Sequence, residues 1–510
     1  MRFNTKVLFY IFISVATAVP GLFAQGSLVP TLPWFLSQPG PYATASADWN
    51  HGNVNVTNPL GGGTVSVQHF GVVWYPTSGG GQILQNPTPF PFIVFAHGRF
   101  QQSGFIGTNH KQATYLLQHL ASWGFVVSSV NLDVVGQYTT VAAIPQRGEL
   151  INQTVSYFMG LAPYAAATDF NRIIYIGHSR GGEGVFAAVQ QNPAWLSQIK
   201  AIAAIAPTNF QSYKISRNAF VIYGSQDGDV NNGWPIQLYD NTLKDQIKGF
   251  RWIEGANHFY FTDSISFALE LNAQLTRAQH HEISKTYFTT WAMAMMYNDR
   301  PALQRIAGDK EILWSSAFKI HRIFSHPRRI TVDDFEQTPA NPLRNSLGGT
   351  NTLTGLTGAA EANINTSTHS SYFHVTKGLI GTWTVPAQYN TDLLNDLDVT
   401  GYPYVSVNLL QKYNSAQNPF NQPKSFHISI RDAAGNSATY INTDVNPWPY
   451  PFNASPNGPV KSVFKSFRFP VSAFTAQNPN IDLTKLRKVV VDFDVNATGE
   501  FALDDVVLTQ

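Results

Sequence analysis

The sequence predicts an α/β architecture followed by an all-β one, on three observations. Continuous β-branched runs alternate with helical patterns between about residues 90 and 330. Beyond "SHPRR" the pattern changes to short alternating runs, and one β-branched run, "RIIYIG", opens directly into the glycine-rich turn "GHSRGGEG". Runs of the first kind are those of strands buried on both faces of a parallel sheet. Alternating runs separated by turn residues are those of half-buried antiparallel strands.

A chain of 510 residues suits two or three domains, each able to bury its own core. Charged residues make up 13% and the formal net charge is +2, with no long basic or acidic block, which argues against a nucleic-acid partner. The first segment, "MRFNTKVLFYIFISVATAVPGLFAQ", places Arg2 and Lys6 ahead of an apolar run from Val7 to Val19. That run is short for a membrane span and is followed by small residues, the pattern of a leader peptide over residues 1–24. Cleavage after Ala18 or Ala24 fits, and the mature chain is expected to be secreted or periplasmic without a membrane span. The chain has no cysteine, so large cores or bound ions must supply what disulfides supply in many exported proteins.

The mature chain divides into residues 26–328 and 329–510. Residues 40 to 80, with "TVSVQHFGVVWYP", read as an antiparallel hairpin leading into the main sheet. The order then runs "FPFIVFAHG" strand, "NHKQATYLLQHLASWG" helix, "GFVVSSVNL" strand, "RIIYIG" strand, "GEGVFAAVQQN" helix, and the strands "IKAIAAIAP", "NAFVIYG" and "KGFRWIEG". "ISKTYFTTWAMAMMYND" keeps a helical apolar face and closes this part. In the second part the strands are "YVSVNLL", "SFHISIRD", "SVFKSFRFPV", "KVVVDFDV" and "EFALDDVVL", as in a β-sandwich or jelly roll. The Thr/Asn/Gly-rich stretch 345–371 reads as loop.

The chemistry is expected at the glycine turn. Gly177-His178-Ser179-Arg180-Gly181 fits G-x-S-x-G and sits between a strand and a helix, where a sharp turn exposes a serine hydroxyl. A hydroxyl needs a base and a carboxylate to orient that base. The strand "NAFVIYG" ends in "SQDGDV", which carries Asp227 and Asp229; Asp227 is the favoured acid and Asp229 the alternative. The next strand ends in "ANHFYF", which supplies His258, so the chain order is Ser, Asp, His. The oxyanion donors are the backbone amides of Arg180, after the nucleophile, and Arg99, after His97-Gly98. Glu183 is expected to pair with Arg180 at the helix start, and His280 and His281 to face solvent. No cofactor or metal is expected in this chemistry.

The elements "HGR", "GHSRGG", "GSQDGDV" and "NHF", with "GPYA" at 40 and "VVWYP", resemble the α/β-hydrolase superfamily. Within it they are similar to the dienelactone hydrolase, chlorophyllase and cutinase-like polyester hydrolase group, over roughly residues 40 to 300. The resemblance implies a serine ester hydrolase acting through an acyl-enzyme on a small or polymeric ester. A carbohydrate (acetyl or feruloyl) esterase, or an inactive hydrolase fold serving as a binding scaffold, are the alternatives. Arg180 stands where a polyesterase usually has methionine, and the C-terminal disulfide of that group is absent. In the second part, "VDDFEQ" and "GEFALDDVVLTQ" resemble the first and last strands of carbohydrate-binding jelly rolls. That resemblance implies a polysaccharide or polymer surface as partner. It also makes Asp333, Asp334, Asp504 and Asp505 candidates for a structural calcium, and Trp383, Trp448 and Tyr450 candidates for a sugar-stacking platform.

Overall fold

The computed structural model describes residues 36–99, 107–136, 143–231, 233–265, 273–312, 314, 317–364, 374–442, 447–451 and 462–510. The leader segment lies outside the described residues. Leu32–Gln510 forms one compact unit, and no described helix is long and apolar enough to cross a membrane.

The first sheet has nine strands: β1 (Ala43–Thr57), β2 (Thr64–Thr77), β3 (Phe90–Ala96), β4 (Val126–Val130), β5 (Thr168–His178), β6 (Ile199–Ile205), β7 (Asn218–Gly224), β8 (Lys248–Ile253) and β9 (Ile320–Ser325). Their order is β1-β2-β4-β3-β5-β6-β7-β8-β9. The six strands from β4 to β8 run parallel, while β1, β2 and β9 are antiparallel additions at the two edges. Every residue of β3, β4 and β8 is buried, including Ser128 and Ser129 of β4 and Lys248 and Arg251 of β8. The helix Arg277–Tyr297 does not end this part as expected. A further helix, Arg300–Ala307, follows it, and β9 then covers the exposed edge of β8.

The second sheet is antiparallel throughout and also has nine strands: β10 (Arg329–Asp333), β11 (Thr350–Asn363), β12 (Lys377–Leu397), β13 (Tyr404–Gln411), β14 (His427–Asp432), β15 (Ser437–Ile441), β16 (Lys465–Pro470), β17 (Leu486–Phe493) and β18 (Gly499–Thr509). The long β12 joins its parts: residues 379–383 pair with β18 and residues 387–392 with β17. Within the stretch 345–371 read as loop, Thr350–Asn363 is instead β11, a strand paired along β12 with two shifts of register, and residues 365–371 lie outside the described residues.

One expectation for this half is corrected. Trp383 and Trp448 are fully buried, with ring centroids 6.2 Å apart, and Tyr450 is nearly so; these rings are core and present no face to a sugar. Each of the four aspartates has a partner within the protein. Asp333 accepts from Asn351 and Tyr389 at 2.8 and 2.9 Å, and Asp334 pairs with Lys244 at 2.6 Å. Asp504 accepts from the Asp505 amide at 2.7 Å and Asp505 faces Arg329 at 3.4 Å. Among the described residues no group of three or more His, Asp or Glu side chains is placed to hold a metal.

The two parts of the chain share buried contacts. Ile364, Leu410, Phe464 and Ala502 belong to the core of the first sheet. Ser466 accepts from the Phe324 amide at 3.0 Å, and buried His374 and Asp240 meet at 3.1 Å.

Candidate functional site

Ser179 joins the end of β5 to the helix Arg180–Gln190 with φ 56° and ψ −126°, a conformation that costs an ordinary residue on the order of 1–3 kcal/mol. The turn is tight enough to exclude side chains on both flanks. A Cβ on Gly177 would lie 2.2 Å from the Gly181 carbonyl oxygen, and one on Gly181 would lie 2.1 Å from that of Ala96. The serine is tied down through its backbone: its amide donates to Ile205 and its carbonyl accepts from Glu183 and Thr208, at 2.9, 3.1 and 3.3 Å.

The parallel order carries the other groups to the same edge, since β5, β6, β7 and β8 are neighbours. Buried Asp227 follows β7. One carboxylate oxygen lies 2.8 Å from His258 Nδ1, and the other accepts from the Asp229 and Val230 amides at 3.1 and 2.7 Å. The structure thus places Asp227, and not Asp229, on Nδ1. Asp229 is half exposed, with an oxygen 3.5 Å from the other ring nitrogen of His258. His258 is fully buried and sits beside the serine's neighbour: the His178 ring is 4.7 Å from it, and His178 Nε2 donates to the His258 carbonyl at 3.1 Å. Burial holds His178 well below the ordinary histidine range.

Arg180 is the first residue of its helix, where backbone amides have no partner within the helix. Arg99 lies just after β3, on a stretch organised by His97. The Leu132 amide donates to His97 Nε2 at 2.8 Å, so Nδ1 carries the proton and donates to the Gly98 carbonyl at 2.6 Å. Burial holds His97 down to about 4, which keeps it neutral. Arg147, from the helix Ile144–Gly160, is buried and donates to the His97 carbonyl at 3.3 Å. No motif marked Arg147; its role depends on a contact 50 residues away in sequence.

Two local expectations give way. Glu183 is buried and accepts from the Thr208 hydroxyl and the Gln211 amide at 2.7 and 2.8 Å, while the Arg180 guanidinium lies over the Phe210 ring at 5.5 Å. His280 does not face solvent. Its Nε2 accepts from the Asn257 amide at 2.9 Å and its Nδ1 donates to the Thr276 carbonyl at 2.8 Å, so it braces the loop that carries His258. His281 is half-buried and stacks on Tyr115 at 3.5 Å.

A mostly parallel sheet with a strained serine turn after a central strand is the arrangement of an α/β hydrolase. Residues 38–277 match the family profile described as "PETase: PET hydrolase-like". The chain is similar to a bis(hydroxyethyl) terephthalate hydrolase of Streptomyces coelicolor, 27% identical over 192 residues, covering 38% of this chain and 51% of that protein. It is equally similar to cutinase 2 of Thermobifida cellulosilytica, 27% over 164 residues, covering 31% and 58%, and to cutinase cut1 of Thermobifida fusca, 27% over 164 residues, covering 31% and 47%. The chain resembles the cutinase-like polyester hydrolase group, and it spans about half the length of the curated relatives it matches.

Proposed function

We propose that this protein is an exported serine ester hydrolase that works through an acyl-enzyme. The observation that carries the reading is the buried Asp227–His258 contact of 2.8 Å beside the strained turn of Ser179. Ser179 Oγ attacks the ester carbonyl while His258 Nε2 takes its proton, and the same proton then passes to the leaving alcohol. Water, deprotonated by His258, cleaves the acyl-enzyme and releases the acid. Asp227 holds Nδ1 and stabilises the imidazolium formed in each half-reaction. The backbone amides of Arg180 and Arg99 are the donors to the oxyanion.

The names of the relatives, a terephthalate diester hydrolase and cutinases, support carboxylic esters as the substrate class, with polyesters among them. The basic and apolar start of the chain supports export. A panel of p-nitrophenyl esters of increasing acyl length, bis(hydroxyethyl) terephthalate, an aliphatic polyester film and acetylated xylan tests the reading on the full chain. Hydrolysis of soluble esters and polyester that disappears in Ser179→Ala is expected. Release of acetate from xylan alone would move the protein to the carbohydrate esterases.

A further inference from the structure

The loop after β7 presents two carboxylates to one imidazole. Asp227 meets Nδ1 of His258 at 2.8 Å, and Asp229, two residues on, stands 3.5 Å from Nε2. The second contact is too long for a hydrogen bond, and Asp229 keeps 54% of its side chain exposed, whereas His258 and Asp227 are fully buried. The loop is not free to move Asp229 away by itself. The Asp229 amide donates to the outer oxygen of Asp227, so the carboxylate that fixes one side of the ring also fixes the backbone that carries the other carboxylate.

Resting on the ester-hydrolase reading, we propose that Asp229 is a positioning residue, holding the imidazolium of His258 by its outer nitrogen in the interval between the two proton transfers. In that interval Nε2 carries a proton that must go forward to the leaving alcohol and not back to Ser179. A carboxylate beside Nε2 of this buried ring attracts that proton and holds the ring in its charged form until the alcohol takes the proton. The remaining groups around the ring do not duplicate this. His178, packed against it from the end of β5, is kept neutral, and Phe259 is apolar. Arg180, at the start of the next helix, interacts electrostatically with Asp229 and partly offsets its charge.

The test uses the full chain and the pH dependence of kcat/KM for a p-nitrophenyl ester. Removing a half-exposed charge at this range should lower the midpoint of the acid limb by roughly 0.5 to 1 pH unit in Asp229→Asn. Asp229→Glu should keep the wild-type midpoint. Titration of His258 in protein labelled at histidine Cε1, with the resonance identified by its loss in His258→Gln, should move by the same amount. An unchanged or raised midpoint in Asp229→Asn, by either readout, overturns the proposal. The histidine titration needs no turnover. Full activity in Ser179→Ala, or no ester hydrolysis at all, would therefore overturn the hydrolase reading while leaving the Asp229 measurement decisive on its own.

Discussion

Arg468 on β16 and Asp309, just beyond the helix Arg300–Ala307, form a two-pronged ion pair at 2.7 and 2.9 Å, with both side chains buried. The pair ties the second sheet to the first part of the chain, alongside the shared core residues Phe464 and Ala502. Removing one partner leaves the other charged and unpaired inside the protein, at a cost of about 3–5 kcal/mol. Arg468→Met should therefore lower the urea midpoint of the full chain by a corresponding amount. A chain ended at residue 328 loses these contacts altogether and should show no cooperative melt by circular dichroism. A fragment melting within a few degrees of the full chain would show that the first part stands alone.

Ser179→Ala should reduce ester turnover by several orders of magnitude with an unchanged circular dichroism spectrum. Asp227→Asn should reduce it about 10⁴-fold at neutral pH, because an amide on Nδ1 favours the wrong imidazole tautomer. Steady-state kinetics on one soluble ester measures both effects.

Gly181→Ala tests the close approach at the turn. The new methyl group would meet the carbonyl oxygens of Ala96 and His97 at 2.1 and 2.4 Å, and neither is a side chain that can rotate away. The turn must shift away from the stretch carrying Arg99, and a displacement near 1 Å can cost on the order of 10²-fold in rate. Activity within threefold of wild type would mean that the backbone accommodates the methyl without moving the serine.

Acid should destabilise the protein before it protonates its buried histidines. Burial lowers His69, His119 and His280 to about 3, and His97 and His110 to about 4, from an ordinary value of 6.5. Between those values the unfolded chain binds protons that the folded one refuses, so stability rises with pH across this window. The contribution is complete above pH 6.5 and is lost as pH falls towards 4 and 3. Melting temperature should fall steadily from pH 7 to pH 4, and His119→Gln should flatten the slope. A flat profile over that range would contradict this account.

Ser179, Asp227 and His258 were readable because each lies where a β-branched run meets a turn, and the run, the glycines and the order along the chain are all local signals. The parallel strands β3 to β8 were legible for the same reason: strands buried on both faces are dominated by apolar, often β-branched, residues. β11 was not. Its Gly, Ala and Asn residues carry a weak strand preference that offsets its threonines, and only pairing along β12 makes it a strand. His280 lay in a polar helical stretch, yet its ring is buried because the His258 loop packs over that helix. Glu183 was drawn to Arg180 by spacing, but Thr208 and Gln211, brought over the helix by the end of β6, supply better partners inside the protein. Residue type alone offers Trp383 and Trp448 to a sugar, and only their packing in the second core takes both rings out of reach. The sequence by itself determined the chain order of the parallel strands and the three candidate groups at their ends, because strand propensity, glycine turns and residue type act within a few positions of one another. Which carboxylate meets Nδ1, which polar groups are buried and how the second sheet joins the first were decided by tertiary structure, because those outcomes depend on contacts between residues tens to hundreds of positions apart.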